Sequence, residues 1–397
     1  MMNNMAFMVK KQSESDFFLK RVINYVASFD YIQILSVLLL LAIGIIFIYS
    51  TGEQVGTASA SQFWLKQIQW IVMGLCFWTI MACTNYRDLK PLVWIFYVLC
   101  LVLLVVVLIF GLKIYGARRW LDFGTGIRLQ PSELAKLAVL LLLSYTMTQP
   151  SFNINKFRYL AWTGLLVAVP FLLIAKEPDL GSAIILIPIF IGLIFVSGLK
   201  WKFIIAAGII LAVIITAEVI NEVGEYYPFL KTYQKERLLT FLDPERDITH
   251  RGYNQFQARL AVGSGGATGK GIGQGTQNTL GFLPQTVSNN DFIFSVIAEE
   301  TGFAGCSVLI LSYILLTFSI LRTAFTAPDD FGRFIGVGTA CIFFAHSFIN
   351  MGMSIGVNPV TGVCLPFVSY GGSFMLLSMT CLGILQSVYR HRKERNF

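Results

Sequence analysis

Charge is scarce in this sequence. Asp, Glu, Lys and Arg make up 13% of its 397 residues, against 55% hydrophobic residues and a mean hydropathy of +0.68, which excludes a soluble multi-domain chain. Histidine is rarer still. His250, His346 and His391 are scattered without metal-ligand spacing and read as a loop residue, a packed helix residue and part of a basic tail. The seven cysteines contain no C-x-x-C pair and lie mostly inside apolar runs, so neither a disulfide framework nor zinc is implied. Heptads, low-complexity tracts and short repeats are also missing. The apolar runs lack two-residue alternation, which excludes a membrane β-barrel. No small-residue cleavage site follows the first run, so a retained helix is expected rather than a signal peptide.

Long apolar stretches remain, such as Ile34 to Ser50, Val93 to Leu112 and Ile204 to Ala217. A spanning helix takes about 20 apolar residues, and the sequence predicts an all-α integral membrane protein with about ten spans. They fall near 32–50, 68–84, 91–112, 132–148, 159–175, 180–198, 202–220, 292–321, 334–351 and 372–389. The net charge of +8 comes from short loops and tails, including Lys10, Lys11, Arg87, Lys90, Lys156, Arg158, Lys200, Arg333 and Arg390, all on one side of this topology. That is an orientation signal and not a nucleic-acid surface. It predicts cytoplasmic termini (tails 1–30 and 391–397), a membrane domain over 31–390, and one large extracytoplasmic loop over 221–290. The outer turn at 113–128 breaks the rule with Lys113, Arg118, Arg119 and Arg128. Those cations suit either an anionic headgroup or pyrophosphate, or structural pairing with Asp122.

Several residues could carry chemistry. Gln130-Pro131-Ser132-Glu133 opens a span, and Lys136 follows on the same face, where an unpaired charge costs at least about 2.5 to 3.5 kcal/mol; the pair faces a polar cavity or forms a buried ion pair. Lys176-Glu177-Pro178-Asp179-Leu180-Gly181 crowds three charges into a hairpin tip, either a site or a solvated turn. Glycines from Gly263 to Gly275 surround Lys270, but Gly271 stands where a phosphate loop needs Ser or Thr, so nucleotide binding is discarded. Between Leu230 and Leu242, Lys231, Lys235 and Arg237 alternate with apolar residues, which suits the headgroup layer or a packed lid. Asp291 joins the polar loop to an apolar span containing Glu299 and Glu300, where a carboxylate meets water and headgroup together.

Taken in order, Gly116-Ala117-Arg118-Arg119-Trp120-Leu121, Gln130-Pro131-Ser132-Glu133, Pro178-Asp179-Leu180-Gly181, Gly275-Thr276-Gln277, Asp291-Phe292-Ile293-Phe294 and Pro366 to Ser373 resemble the SEDS proteins (shape, elongation, division, sporulation) from about residue 30 to the C-terminus. Asp243-Pro244-Glu245, Gly269-Lys270-Gly271 and Pro359 to Val363 resemble the elongation branch more than the division branch. The resemblance implies a peptidoglycan glycosyltransferase of the bacterial cytoplasmic (inner) membrane that polymerises lipid II at its outer face. It also implies a class B penicillin-binding protein as crosslinking partner within the elongation or division machinery. Carried over, the family's essential acid falls on Asp291 and its membrane pair on Glu133 and Lys136. One departure is Gln285, where relatives usually carry Glu, followed by a segment about two residues longer before Asp291. The expected reaction is an inverting transfer in which Asp291 takes the acceptor proton. Arg118, Arg119, Lys136 or Lys270 then stabilises the departing pyrophosphate, and Asp179 holds a divalent cation (Mg or Mn) or orients a lysine. A transporter that flips the lipid-linked precursor and a noncatalytic scaffold are the competing expectations.

Overall fold

In the computed structural model, the chain is described at residues 28–52, 62–114, 117–122, 124, 128–203, 205, 208–209 and 252–392. Nine of the ten expected spans are helices there: α1 (Tyr31–Thr51), α2 (Phe63–Cys83), α3 (Val93–Phe110), α4 (Pro131–Met147), α5 (Phe157–Lys176), α6 (Leu180–Val196) and, after the loop, three more. The expected span at 202–220 lies almost wholly outside the described residues, as do the headgroup-type segment at 230–242 and Asp243-Pro244-Glu245. Seven helices among the described residues are long and apolar enough to cross a membrane, and α6 is a shorter apolar one.

Large apolar side chains on α1 and α3, such as Leu35, Leu38, Ile95 and Val102, stay exposed on the outside of the bundle, as a lipid-facing surface requires. By contrast α4 is buried all round except at Leu134, Tyr145 and Thr146, which makes it the central helix and explains why it manages with 17 residues. Small residues set the helix spacing. At Gly336 a β-carbon would stand 2.6 Å from Ala324 Cβ, and at Gly383 it would stand 2.6 Å from the Trp78 carbonyl.

The large loop is not a loose polar stretch where it is described. It contains α7 (Tyr253–Ser264) and two single turns, α8 (Thr276–Thr279) and α9 (Gln285–Ser288), before α10 (Ile293–Phe325), α11 (Asp330–Ile355) and α12 (Gly372–His391). The outer turn adds a three-stranded antiparallel sheet, β1 (Leu112–Ile114), β2 (Ala117–Asp122) and β3 (Arg128–Leu129), which the helical reading did not anticipate. Its strands are too short to carry a periodic signal.

The span expected to run unbroken from 292 is interrupted at Gly302, whose φ of 64° and ψ of −160° leave the helical region. Carbonyl and amide groups freed there are taken up by the glycine-rich loop. Phe303 N donates to Gly266 O at 2.9 Å and Ala304 N to Ala267 O at 3.0 Å, while Lys270 N and Gly271 N donate to Glu299 O and Glu300 O. The buried carboxylates complete the join: Glu300 accepts from Ser50 Oγ (2.6 Å) and Gly273 N (3.0 Å), and Glu299 from Gln277 N (3.2 Å). Irregular backbone survives beside lipid only where protein pairs it, as here. A β-carbon at Gly302 would stand 2.7 Å from Ala267 C and Thr268 N. Gly302→Ala therefore loses at least about 1–3 kcal/mol from backbone strain alone, read as a lowered unfolding temperature of the detergent-purified chain; an unchanged midpoint contradicts this account of the break.

Candidate functional site

Asp291 sits on the short connection between α9 and α10, and its position is set by main-chain bonds on every side. Its amide donates to Val287 O at 3.0 Å, and its carbonyl accepts from Asn350 Nδ2 at 2.9 Å. The two preceding carbonyls are held as well: Asn289 O accepts from Tyr370 N (2.9 Å) and Asn290 O from Ser369 Oγ (2.6 Å). Residues 292 to 300 are all buried, whereas Asp291 itself stays partly exposed. A carboxylate that is both fixed and reachable is what a general base needs.

Glu133 and Lys136, one helical turn apart on α4, form a two-pronged pair with Nζ 2.8 and 2.9 Å from the two carboxylate oxygens; Lys136 is fully buried and Glu133 nearly so. The third ammonium donor meets His346 Nε2 of α11 at 3.2 Å. On its other side His346 Nδ1 is 3.0 Å from the Cys364 carbonyl. Since a carbonyl oxygen can only accept, Nδ1 carries the proton and Nε2 accepts from the lysine, which makes this imidazole neutral. Its ring stacks on Phe374 at 4.2 Å. The polar cavity and the buried ion pair that the sequence left open are thus resolved as an ion pair whose three ammonium donors are all engaged.

Asp179 caps α6 through Ser182 N (3.3 Å) and also accepts from Gln130 Nε2 (2.7 Å) and Ser132 Oγ (3.2 Å). Arg119, from β2, lies 4.0 Å from Asp179 and donates to the Glu177 and Pro178 carbonyls, so the guanidinium straps the hairpin tip. The tip is not a solvated turn. Glu177 is buried, and burial, then the adjacent Asp179 charge, push its carboxyl up to about 9 against the lowering pull of Arg119.

One segment, residues 361–365, runs between these groups. Gly181 packs on the Thr361 carbonyl, and a β-carbon on Gly362 would stand 3.5 Å from Asp291 Oδ2. Asn350 Nδ2 donates to Val363 O at 2.7 Å, and His346 reaches Cys364 O. Asp291 therefore lies against this strip of backbone, Glu133 and Lys136 reach it through His346, and Asp179 and Arg119 belong to the hairpin tip that packs on it at Gly181. Arg118 and Lys270 do not join them. Arg118 donates to the Leu108 and Ile109 carbonyls at the end of α3 (3.2 and 2.6 Å), and Lys270 pairs with Glu299 at 2.6 Å in the glycine-rich loop. Arg128 pairs with Asp122 at 3.6 Å, the structural reading of that cation.

His346, Asn350 and Ser369 belong to this assembly and were not singled out as site residues from the sequence, whereas Glu177 was named only within the charged hairpin tip. The spacing of His346 and Asn350, four residues apart on one helical face, was the available signal. Among the described residues no group of three His, Cys, Asp or Glu side chains converges as a metal cage, and both Asp179 oxygens already accept hydrogen bonds.

Residues 31–394 match the family described as "Cell cycle protein", that of FtsW, RodA and SpoVE. Peptidoglycan glycosyltransferase MrdB of Escherichia coli K12 is 38% identical over 368 residues, covering 92% of this chain and 94% of that protein. RodA of Treponema pallidum is 30% identical over 91% of this chain and 98% of its own. Among solved structures, a chain from a peptidoglycan synthase complex described as coordinating polymerization and crosslinking superposes with a TM-score of 0.77 at 29% identity, covering 92% of this chain and 98% of that one. The rod shape determining protein RodA of Thermus thermophilus superposes with a TM-score of 0.66 at 27% identity, covering 92% and 97%.

Proposed function

The chain belongs to the FtsW/RodA/SpoVE family, and from that membership we propose that it is a peptidoglycan glycosyltransferase of the elongation branch, polymerising lipid II at the outer face of the cytoplasmic membrane. The observation that carries this reading is the partly exposed Asp291, whose main chain is held by Asn350, Ser369 and Tyr370 and whose carboxylate faces the strip that packs at Gly181 on the hairpin tip of Arg119 and Asp179. In this reaction the 4-hydroxyl oxygen of the acceptor sugar attacks the anomeric carbon of the donor, the bond to the pyrophosphate oxygen breaks, and configuration inverts. Asp291 takes the hydroxyl proton. Arg119 supplies positive charge at the rim where the pyrophosphate departs. Lys136 acts differently from a free cation. Its donors are spent on Glu133 and His346, so it positions the strip through the Cys364 carbonyl. A Mg2+ or Mn2+ ion would arrive with the pyrophosphate oxygens, and no step above passes through it.

The polymer side of the reaction needs a crosslinking partner, and a class B penicillin-binding protein of the elongation machinery is the partner this reading names. With the basic loops cytoplasmic, the 361–365 strip, the hairpin tip at 177–181 and Asp291 share the outer side. The reading is tested by supplying lipid II to the purified chain in proteoliposomes. Glycan strands are the expected product; lipid II that crosses the bilayer and stays monomeric replaces this reading with transport. Lys270→Met sorts the two cation groups. It frees the buried Glu299 but leaves the strip intact, so the unfolding temperature drops while the rate of strand formation stays within about tenfold of wild type. A loss as deep as that of an Asp291 variant would put Lys270 back in the site.

A further inference from the structure

Glu177 is a buried carboxyl of the hairpin tip that the polymerase reaction leaves unused. It is 1% exposed, and neither of its oxygens has a hydrogen-bond partner. Buried carboxyls are otherwise paired, as the two carboxylates on α10 are. On the segment that packs against Gly181 the Thr361 hydroxyl is likewise buried without a partner. An unpartnered buried carboxyl is costly, and this one stands on the tip that Arg119 straps beside Asp179.

We propose, building on the polymerase reading, that Glu177 is a substrate-positioning residue that works as a neutral carboxylic acid, donating its O–H to a pyrophosphate oxygen held beside Arg119. Charge decides between donor and acceptor here. Ionised, Glu177 would set a second negative charge beside Asp179 and repel a polyprenyl pyrophosphate; protonated, it adds a donor where that anion needs one. The groups acting on it are consistent with the neutral form. Asp179 on its own turn raises its proton affinity and Arg119 of β2 lowers it, Lys176 beside it is exposed, Glu133 of α4 stands beyond Asp179, and the packed 361–364 segment brings only Thr361 and the Cys364 thiol, which burial holds neutral. With its carboxyl pushed up to about 9, Glu177 is protonated at neutral pH and ionises only in alkaline solution.

The test is binding of undecaprenyl pyrophosphate to the full chain in proteoliposomes, for wild type, Glu177→Gln and Glu177→Leu, at pH about 7.5 and about 10. Glutamine keeps a neutral donor, so its variant is expected to bind within about threefold of wild type at the lower pH, and leucine to bind at least about tenfold more weakly. At the higher pH wild type weakens about tenfold as the proton leaves, and the glutamine variant does not. Weak binding by Glu177→Gln at pH 7.5, wild-type binding by Glu177→Leu, or equal alkaline weakening of wild type and Glu177→Gln would each overturn the proposal. Because the readout is binding, a wild-type chain that makes no strands yet binds in this Glu177-dependent manner defeats the polymerase reading alone.

Discussion

Lys136→Met is expected to cost about 3–5 kcal/mol of stability, because it strands the Glu133 carboxylate inside the bundle and leaves His346 Nε2 without a donor. The penalty arises from the abandoned charge, so removing both charges should hurt less than removing one. A Glu133→Leu, Lys136→Met double variant is accordingly expected to unfold at a higher temperature than Lys136→Met alone, with a coupling that a double-mutant cycle measures. Neither variant should form strands at the wild-type rate, since the tether from Lys136 through His346 to the Cys364 carbonyl is gone in both. Wild-type stability of the single variant would show that the pair is solvated and that α4 does not hold this strip.

Asp291→Asn makes the opposite separation. The asparagine is isosteric, and the main-chain bonds to Val287 and Asn350 stay in place, so folding is expected to survive. What disappears is the capacity to take a proton, and loss of a general base typically lowers rate about 100- to 10,000-fold. The fall should appear in the maximal rate more than in the substrate concentration needed for half of it, because binding contacts elsewhere on the strip remain.

How far these features could be read beforehand depends on the kind of signal each leaves. The spans were legible because lipid demands long apolar runs, and Glu133 with Lys136 stood out because charge inside such a run is costly. Asp291 was legible as a carboxylate on the boundary of loop and span. The break at Gly302 was not, since a single glycine in an apolar helix is ordinary and only the docking of residues 265–271 onto it reveals its positive φ. Arg118 and Arg119 looked equivalent as neighbours in one motif. Neighbours on a strand point to opposite sides, and here that alternation sends one to the end of α3 and the other to the hairpin tip. Glu177 could be read as part of a site or of a solvated turn; the tip it stands on packs at Gly181 against Thr361, some 180 residues away, which no local pattern encodes.

The most direct test of the central claim is strand formation from lipid II by the reconstituted chain together with its transpeptidase partner, comparing wild type with Asp291→Asn of matched unfolding temperature. The account predicts a ladder of glycan strands from wild type and a rate at least about 100-fold lower from the variant. Equal ladders from the two proteins would contradict it.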